Sequence, residues 1–225
     1  MKKIGLLVLL SLSISIVNAK EYGTWDGNLI LKKTETSTGM QHGIDAEYME
    51  RMLIDLAAHA RNYPPSFDSE SDKRRATRDA GMLAGVLNIF IDSPNVHPEM
   101  LFRAAMANNI AHNLDIPKAA EKANDIYQRL LKIVPDNLNV NYNYGVFLAS
   151  ASKIKESIPY LEKALSLGAI DAEYSLGMVY VSLGDKSKAL QYLENYKKST
   201  SNNSEVSKLI EALKNEKTEI KRIEK

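Results

Sequence analysis

Four histidines, His42, His59, His97 and His112, are the side chains of this chain best suited to carry a proton near neutral pH or to ligate a transition metal. Their spacing argues against both roles. No H-E-x-x-H pair is present, and no two fall at metal-ligand spacing on one predicted helix. The chain has no cysteine, so thiolate zinc sites, disulfides and lipid attachment at cysteine are excluded. There is no G-x-S-x-G nucleophile turn, no phosphate-cradling glycine loop and no dinucleotide fingerprint. The carboxylates Asp68 and Glu70 share a turn-rich stretch with no predicted cleft. No catalytic residue, cofactor or metal is expected. His59 lies beside an apolar stripe and is expected to be half-buried, which leaves His112 as the histidine to follow.

The elements that would position these residues are helices, and two of the helical units are copies. The first reads Asn141-x2-Tyr144-Gly145-x2-Leu148, then Ser157-x3-Leu161-x2-Ala164-Leu165. The second reads Glu173-x2-Leu176-Gly177-x2-Tyr180, then Ala189-Leu190-x2-Leu193-x2-Tyr196. The glycines are 177 − 145 = 32 residues apart, and Ser157/Ala189 and Leu161/Leu193 repeat that offset. A fixed period of a few dozen residues marks a repeat array, in which no unit buries its apolar face alone.

These residues resemble the tetratricopeptide repeat (TPR) family, W-x2-L-G-x2-Y, A-x3-F, P, with a period of ~34. Gly145, Gly177, Ala189 and the polar Ser157 stand where a helix pair needs small residues. Both copies lack the tryptophan, and the first ends at Leu167-Gly168-Ala169 rather than at proline, a shortened turn similar to Sel1-like repeats. Upstream, Ala123-x3-Tyr127-x2-Leu130-Leu131 followed by Pro135-Asp136-Asn137 matches the second helix of the repeat. The resemblance implies an all-α, TPR-like helical-hairpin solenoid of about three to four repeats. Within residues 96–203 the units are 104–137, 138–169 and 170–203.

In TPR arrays the first helices of successive units line a concave face. By that resemblance the partner-binding positions are Asn108, Asn109 and His112, then Tyr142, Asn143 and Val146 (with Ala149 and Ser150), then Tyr174, Ser175 and Met178 (with Val181 and Ser182). Asparagine amides both donate and accept, which suits an extended peptide backbone, and tyrosine adds flat apolar contact with a polar tip. These positions hold no lysine or arginine, so the carboxylate clamp of cochaperone TPRs is not expected.

The flanks complete the domain reading. Residues 1–19 have a basic start (Lys2, Lys3), an apolar run from Ile4 to Val17 and a Val17-Asn18-Ala19 cleavage pattern. They read as a secretory signal peptide, the run being short for a bilayer span; a retained anchor is the other reading. The Met-Lys-Lys start suggests a bacterium, with a periplasmic or secreted mature protein and no stable membrane span. Removing the two lysines leaves 29 − 2 = 27 basic against 28 acidic residues, too balanced a charge to attract nucleic acid.

Residues 20–43, with the sole tryptophan Trp25, are expected as an extended arm that could pack Trp25 on the first helices. Residues 44–95 form a degenerate repeat. Its first helix is marked by Ile44, Tyr48, Met52, Leu56 and Ala60, and Pro64-Pro65 stop it. Its second helix is capped by Ser71 and opens on the basic cluster Lys73, Arg74, Arg75 and Arg78, which opposes the helix dipole. Residues 204–225 form a C-terminal capping helix with a narrow apolar stripe.

The expected function is a non-catalytic scaffold of the bacterial cell envelope that holds a protein or peptide segment in the groove, with self-association through the apolar ends as a further possibility. The competing reading is an enzyme or enzyme subunit with its site in the N-terminal helices. A cleft of convergent titratable groups near His59 or His112 would favour it.

Overall fold

The structure, a computed structural model, describes residues 21–37, 39–93, 96–200 and 204–215. The predicted leader (1–19) and the last part of the capping helix (216–225) lie outside the described residues. After an extended segment comes a 3-10 turn, Gly27–Ile30, and a hairpin of β1 (Leu31–Thr36) and β2 (Gly39–Ile44). The helices are α1 (Ala46–Ala60), α2 (Glu70–Phe90), α3 (Pro98–Asn113), α4 (Ala119–Ile133), α5 (Leu138–Ser150), α6 (Ile154–Ser166), α7 (Asp171–Ser182), α8 (Lys186–Ser199) and α9 (Ser204–Asn215).

Helix starts follow local chemistry. Asp45, Asn137 and Asp185 each accept from the amide three residues on, at 2.9–3.1 Å, and so satisfy a donor the helix leaves free. Pro98 opens α3, where its missing amide costs nothing. The cap of α2 is Ser69 rather than Ser71, its hydroxyl accepting from Asp72 N at 3.1 Å. The helix starts two residues earlier than expected, and Asp72 in its first turn is turned inward onto Arg75.

Helices α3 to α8 stack as three hairpins, and small residues set how closely each closes. A Cβ on Gly145 would lie 2.7 Å from Leu161 Cγ, and one on Gly177 would lie 2.7 Å from Leu193 Cγ. The same contact therefore recurs with the sequence period. Ala123, Ser157 and Ala189 are fully buried at the matching positions, and Ser157 returns its hydroxyl to Ile154 O at 2.7 Å. Gly168 (φ +102°) and Gly184 (φ +75°) take left-handed turns that favour glycine. Helix α9 buries Val206, Leu209, Ile210 and Leu213 at the end of the stack. The all-α, TPR-like fold is thus present as expected.

The segment expected as an extended arm is more structured than that. β1 and β2 pair antiparallel from Leu31–Ile44 to Thr36–Gly39, and Asp45 N donates to Ile30 O at 2.8 Å to close the base. Ahead of the hairpin, residues 22–26 form a strap bonded to α1 and α2. Tyr22 and Ile30 are buried in the main core.

Candidate binding surface

Helices α1, α3, α5 and α7 lie beside one another and make one face of the stack, with the even-numbered helices behind. The residues singled out from sequence all lie on α3, α5 and α7 of this row, but they divide into two sets.

The asparagines are inside. Asn108 is 2% exposed, donates to Ala104 O at 2.7 Å and exchanges amide bonds with Asn88 of α2 at 2.9 and 3.2 Å. Asn143 is buried and donates to Asn139 O at 2.8 Å. Asn109 is buried too, and its Oδ1 has no partner among the described residues. A buried amide holds its neighbours in register, because an unmade bond there costs about 1–3 kcal/mol.

The accessible set is His112, Tyr142, Val146, Tyr174, Ser175 and Met178, which are half-buried or exposed. His112 meets the edge of Phe147 with ring centres 6.0 Å apart. Tyr174 is 38% exposed and leans on Tyr196, whose hydroxyl donates to Asp171 Oδ1 at 3.3 Å. Burial, with Glu205 nearby, pushes the Tyr174 phenol above its ordinary range. Ser175 bonds back to Asp171 O at 3.2 Å, so its hydroxyl proton is already placed.

One residue on this face could not be found from the repeat pattern. Arg61, the C-cap of α1, reaches across 82 residues to donate to Asn143 Oδ1 at 3.2 Å, with its guanidinium 5.7 Å from the Tyr142 ring centre. Asn113 holds the turn beneath it, donating to Ala60 O and Arg61 O at 3.0 Å. The face therefore contains a cation after all.

The titratable groups near His59 form a second cluster, closed under the strap. His59 is 5% exposed, more deeply buried than expected, and stacks on Phe67 with ring centres 5.1 Å apart. Its Nδ1 lies 3.2 Å from Ser66 O, while Nε2 stands 4.0 Å from Asp55 Oδ1, too far for a hydrogen bond. Asp55 accepts from Gly23 N at 2.9 Å and Trp25 Nε1 at 2.8 Å. The Tyr22 hydroxyl donates to Asp79 at 3.2 Å, and Arg75 donates to Tyr22 O, Gly23 O and Asp72. Each named carboxylate here has a structural partner. His97 is also local, its Nδ1 accepting from Glu99 N at the start of α3.

Comparison with known proteins places this geometry in a class. The family model for the tetratricopeptide repeat matches residues 170–203. A 77-residue stretch is 32% identical to aspartyl/asparaginyl beta-hydroxylase of Mus musculus and to that of Homo sapiens, covering 34% of this chain and 10% of each relative. The chain thus spans about a tenth of the length of these curated relatives. Among solved structures, MamA is 19% identical, with 66% of this chain and 84% of that chain covered and a TM-score of 0.53. A thermophilic TPR protein of Thermus thermophilus, TTC0263, is 11% identical, with coverages of 74% and 88% and a TM-score of 0.52. These likenesses are of fold: an all-α TPR-like solenoid. No described helix is long and apolar enough to cross a membrane.

Proposed function

We propose that this protein is a non-catalytic adaptor of the bacterial cell envelope, exported by residues 1–19 and cleaved after Ala19, which holds a peptide or protein segment on the face made by α1, α3, α5 and α7. The observation that carries this is the layering of that face. His112, Tyr142 and Tyr174 come from three successive helices and stay accessible, while Asn108, Asn109 and Asn143 sit behind them as a fixed polar floor. Rigid aromatics with polar tips are effective contact residues because they lose little conformational freedom on binding. Arg61, stacked on Tyr142, supplies a donor for a carbonyl or carboxylate of the bound segment. The competing enzyme reading has less support, because the carboxylates Asp55 and Asp79 around His59 accept hydrogen bonds from the strap.

The test is capture from periplasmic extract by residues 20–225, wild type against the Tyr142→Ala/Tyr174→Ala double variant. A partner retained by the wild type and lost by the variant, with helical content and melting unchanged, is the expected result. Equal capture by both would remove this face as the binding site.

A further inference from the structure

The outward side of α2 carries a seam that neither the repeat stack nor the binding face uses. Arg78, Met82, Gly85 and Ile89 follow one another along α2 at steps of 4, 3 and 4 residues, the spacing of a helix stripe that meets another helix along its length, and Asp92 follows three residues on, in the turn just past the end of α2. All five are exposed. Ile89 is 74% exposed and Met82 37%, and the Arg78 side chain is 61% exposed although its Nε also donates to Asp79. A Cβ added to Gly85 would meet nothing within 4 Å, so the middle of the seam is flat and open. Leu29, 55% exposed, extends the apolar strip, since its 3-10 turn abuts Met82 at Gly27.

We propose that this seam pairs with the same seam of a second copy, antiparallel, about a two-fold axis at Gly85. The charge order selects both the occupant and the direction. Arg78 lies 85 − 78 = 7 residues before Gly85 and Asp92 lies 92 − 85 = 7 after it. An antiparallel pair sets Arg78 against Asp92 of the second copy twice over, and brings Met82 against Ile89. A parallel pair would set arginine on arginine and aspartate on aspartate. The missing side chain at Gly85 lets the two backbones approach at the crossing. The basic start of α2 also gains a use. Arg74 is exposed and unfavourable to its own helix dipole, and in the pair it lies near the end of the other α2, whose last turn holds no basic residue. Three apolar side chains per copy, Leu29, Met82 and Ile89, make a small interface, so a dissociation constant on the order of 10–100 µM is expected.

Sedimentation equilibrium of residues 20–225, which contain every described element, tests this from about 1 µM to about 1 mM. A monomer–dimer equilibrium is expected. Ile89→Glu, at a position too exposed to affect folding, should raise the dissociation constant at least about tenfold with melting unchanged. A monomer at every concentration, or a dimer indifferent to Ile89→Glu, would overturn the proposal. Geometry is tested separately in a chain that has no cysteine of its own. Gly85→Cys should oxidise readily to a disulfide-linked dimer, and Ser152→Cys, in the exposed turn between α5 and α6, should not. Equal rates for the two would also refute the crossing at Gly85.

Discussion

The two ends of this molecule are held together in different ways. From α5 to α8 one contact is made twice, glycine against leucine, Gly145 on Leu161 and Gly177 on Leu193, each between helices adjacent in sequence. Around α1 and α2 the helices touch one another little, and a strap from before the hairpin joins them through bonds that occur once. Tyr22 bonds to Asp79 across 57 residues, and Trp25 bonds to Asp55 across 30. Repeat packing is nearest-neighbour packing, so its stability propagates unit by unit. At the strapped end, long-range polar bonds that occur once are added to the apolar packing of α1 and α2 on α3.

The sharpest way to break that contrast is Tyr22→Ala. The ring is 1% exposed, packed edge-on to His59 and Phe67, and its removal leaves a cavity and takes the phenol from Asp79 Oδ2, while Arg78 still pairs with Oδ1. A destabilisation of about 3–5 kcal/mol is expected, confined to the N-terminal end. Hydrogen exchange should show α1 and α2 losing protection while α5 to α8 keep theirs. Uniform loss along the chain would mean that the two ends fold as one cooperative unit.

The converse variant is Gly177→Val. Its Cβ would fall 2.7 Å from Leu193 Cγ, so α7 and α8 must separate. The expected cost is about 1–3 kcal/mol by urea denaturation, with lost protection in α7, α8 and α9 rather than in α1 and α2. An effect of the same size in both ends would deny the repeat stack its independence.

The same contrast explains what was legible in the sequence. The repeat units were readable because their determinants are local and recur, and α1 was readable because Met52, Leu56 and Ala60 fall on one stripe that the structure buries. The hairpin was missed because its turn lacks an Asn-Gly or Asp-Gly signal and its strands, Lys-Lys-Thr-Glu-Thr against Met-Gln-His-Gly, do not alternate. The residues of the proposed binding face are chosen by position within the repeat. That rule cannot show that Asn108 is taken up by Asn88 on the preceding helix, nor that Arg61 arrives from a helix 82 residues from Asn143. Polar positions were read as facing a ligand when their partners were other parts of the fold. Residue type alone does not distinguish the two.

The smallest predicted effect separates the ends by pH. In the strapped end, the hydrogen bond from Arg75 holds the Asp72 carboxyl below its ordinary range. A depressed carboxylate contributes stability that is present above its unfolded pKa and is lost as pH falls through the folded one. In the repeat end the sign is reversed. Burial raises Glu173 of α7 above the ordinary range, partly offset by a hydrogen bond from Ser199, and its Oε2 has no partner among the described residues. The folded state there prefers the neutral acid, so stability is lost as pH rises from the unfolded pKa to the folded one. Glu173→Gln should therefore raise the melting temperature slightly at neutral pH and leave it unchanged well below the ordinary carboxylate range. Asp72→Asn should lower it at neutral pH and converge with the wild type in acid. Melting curves of the two variants that shift in the same direction with pH would overturn the opposed signs of Asp72 and Glu173.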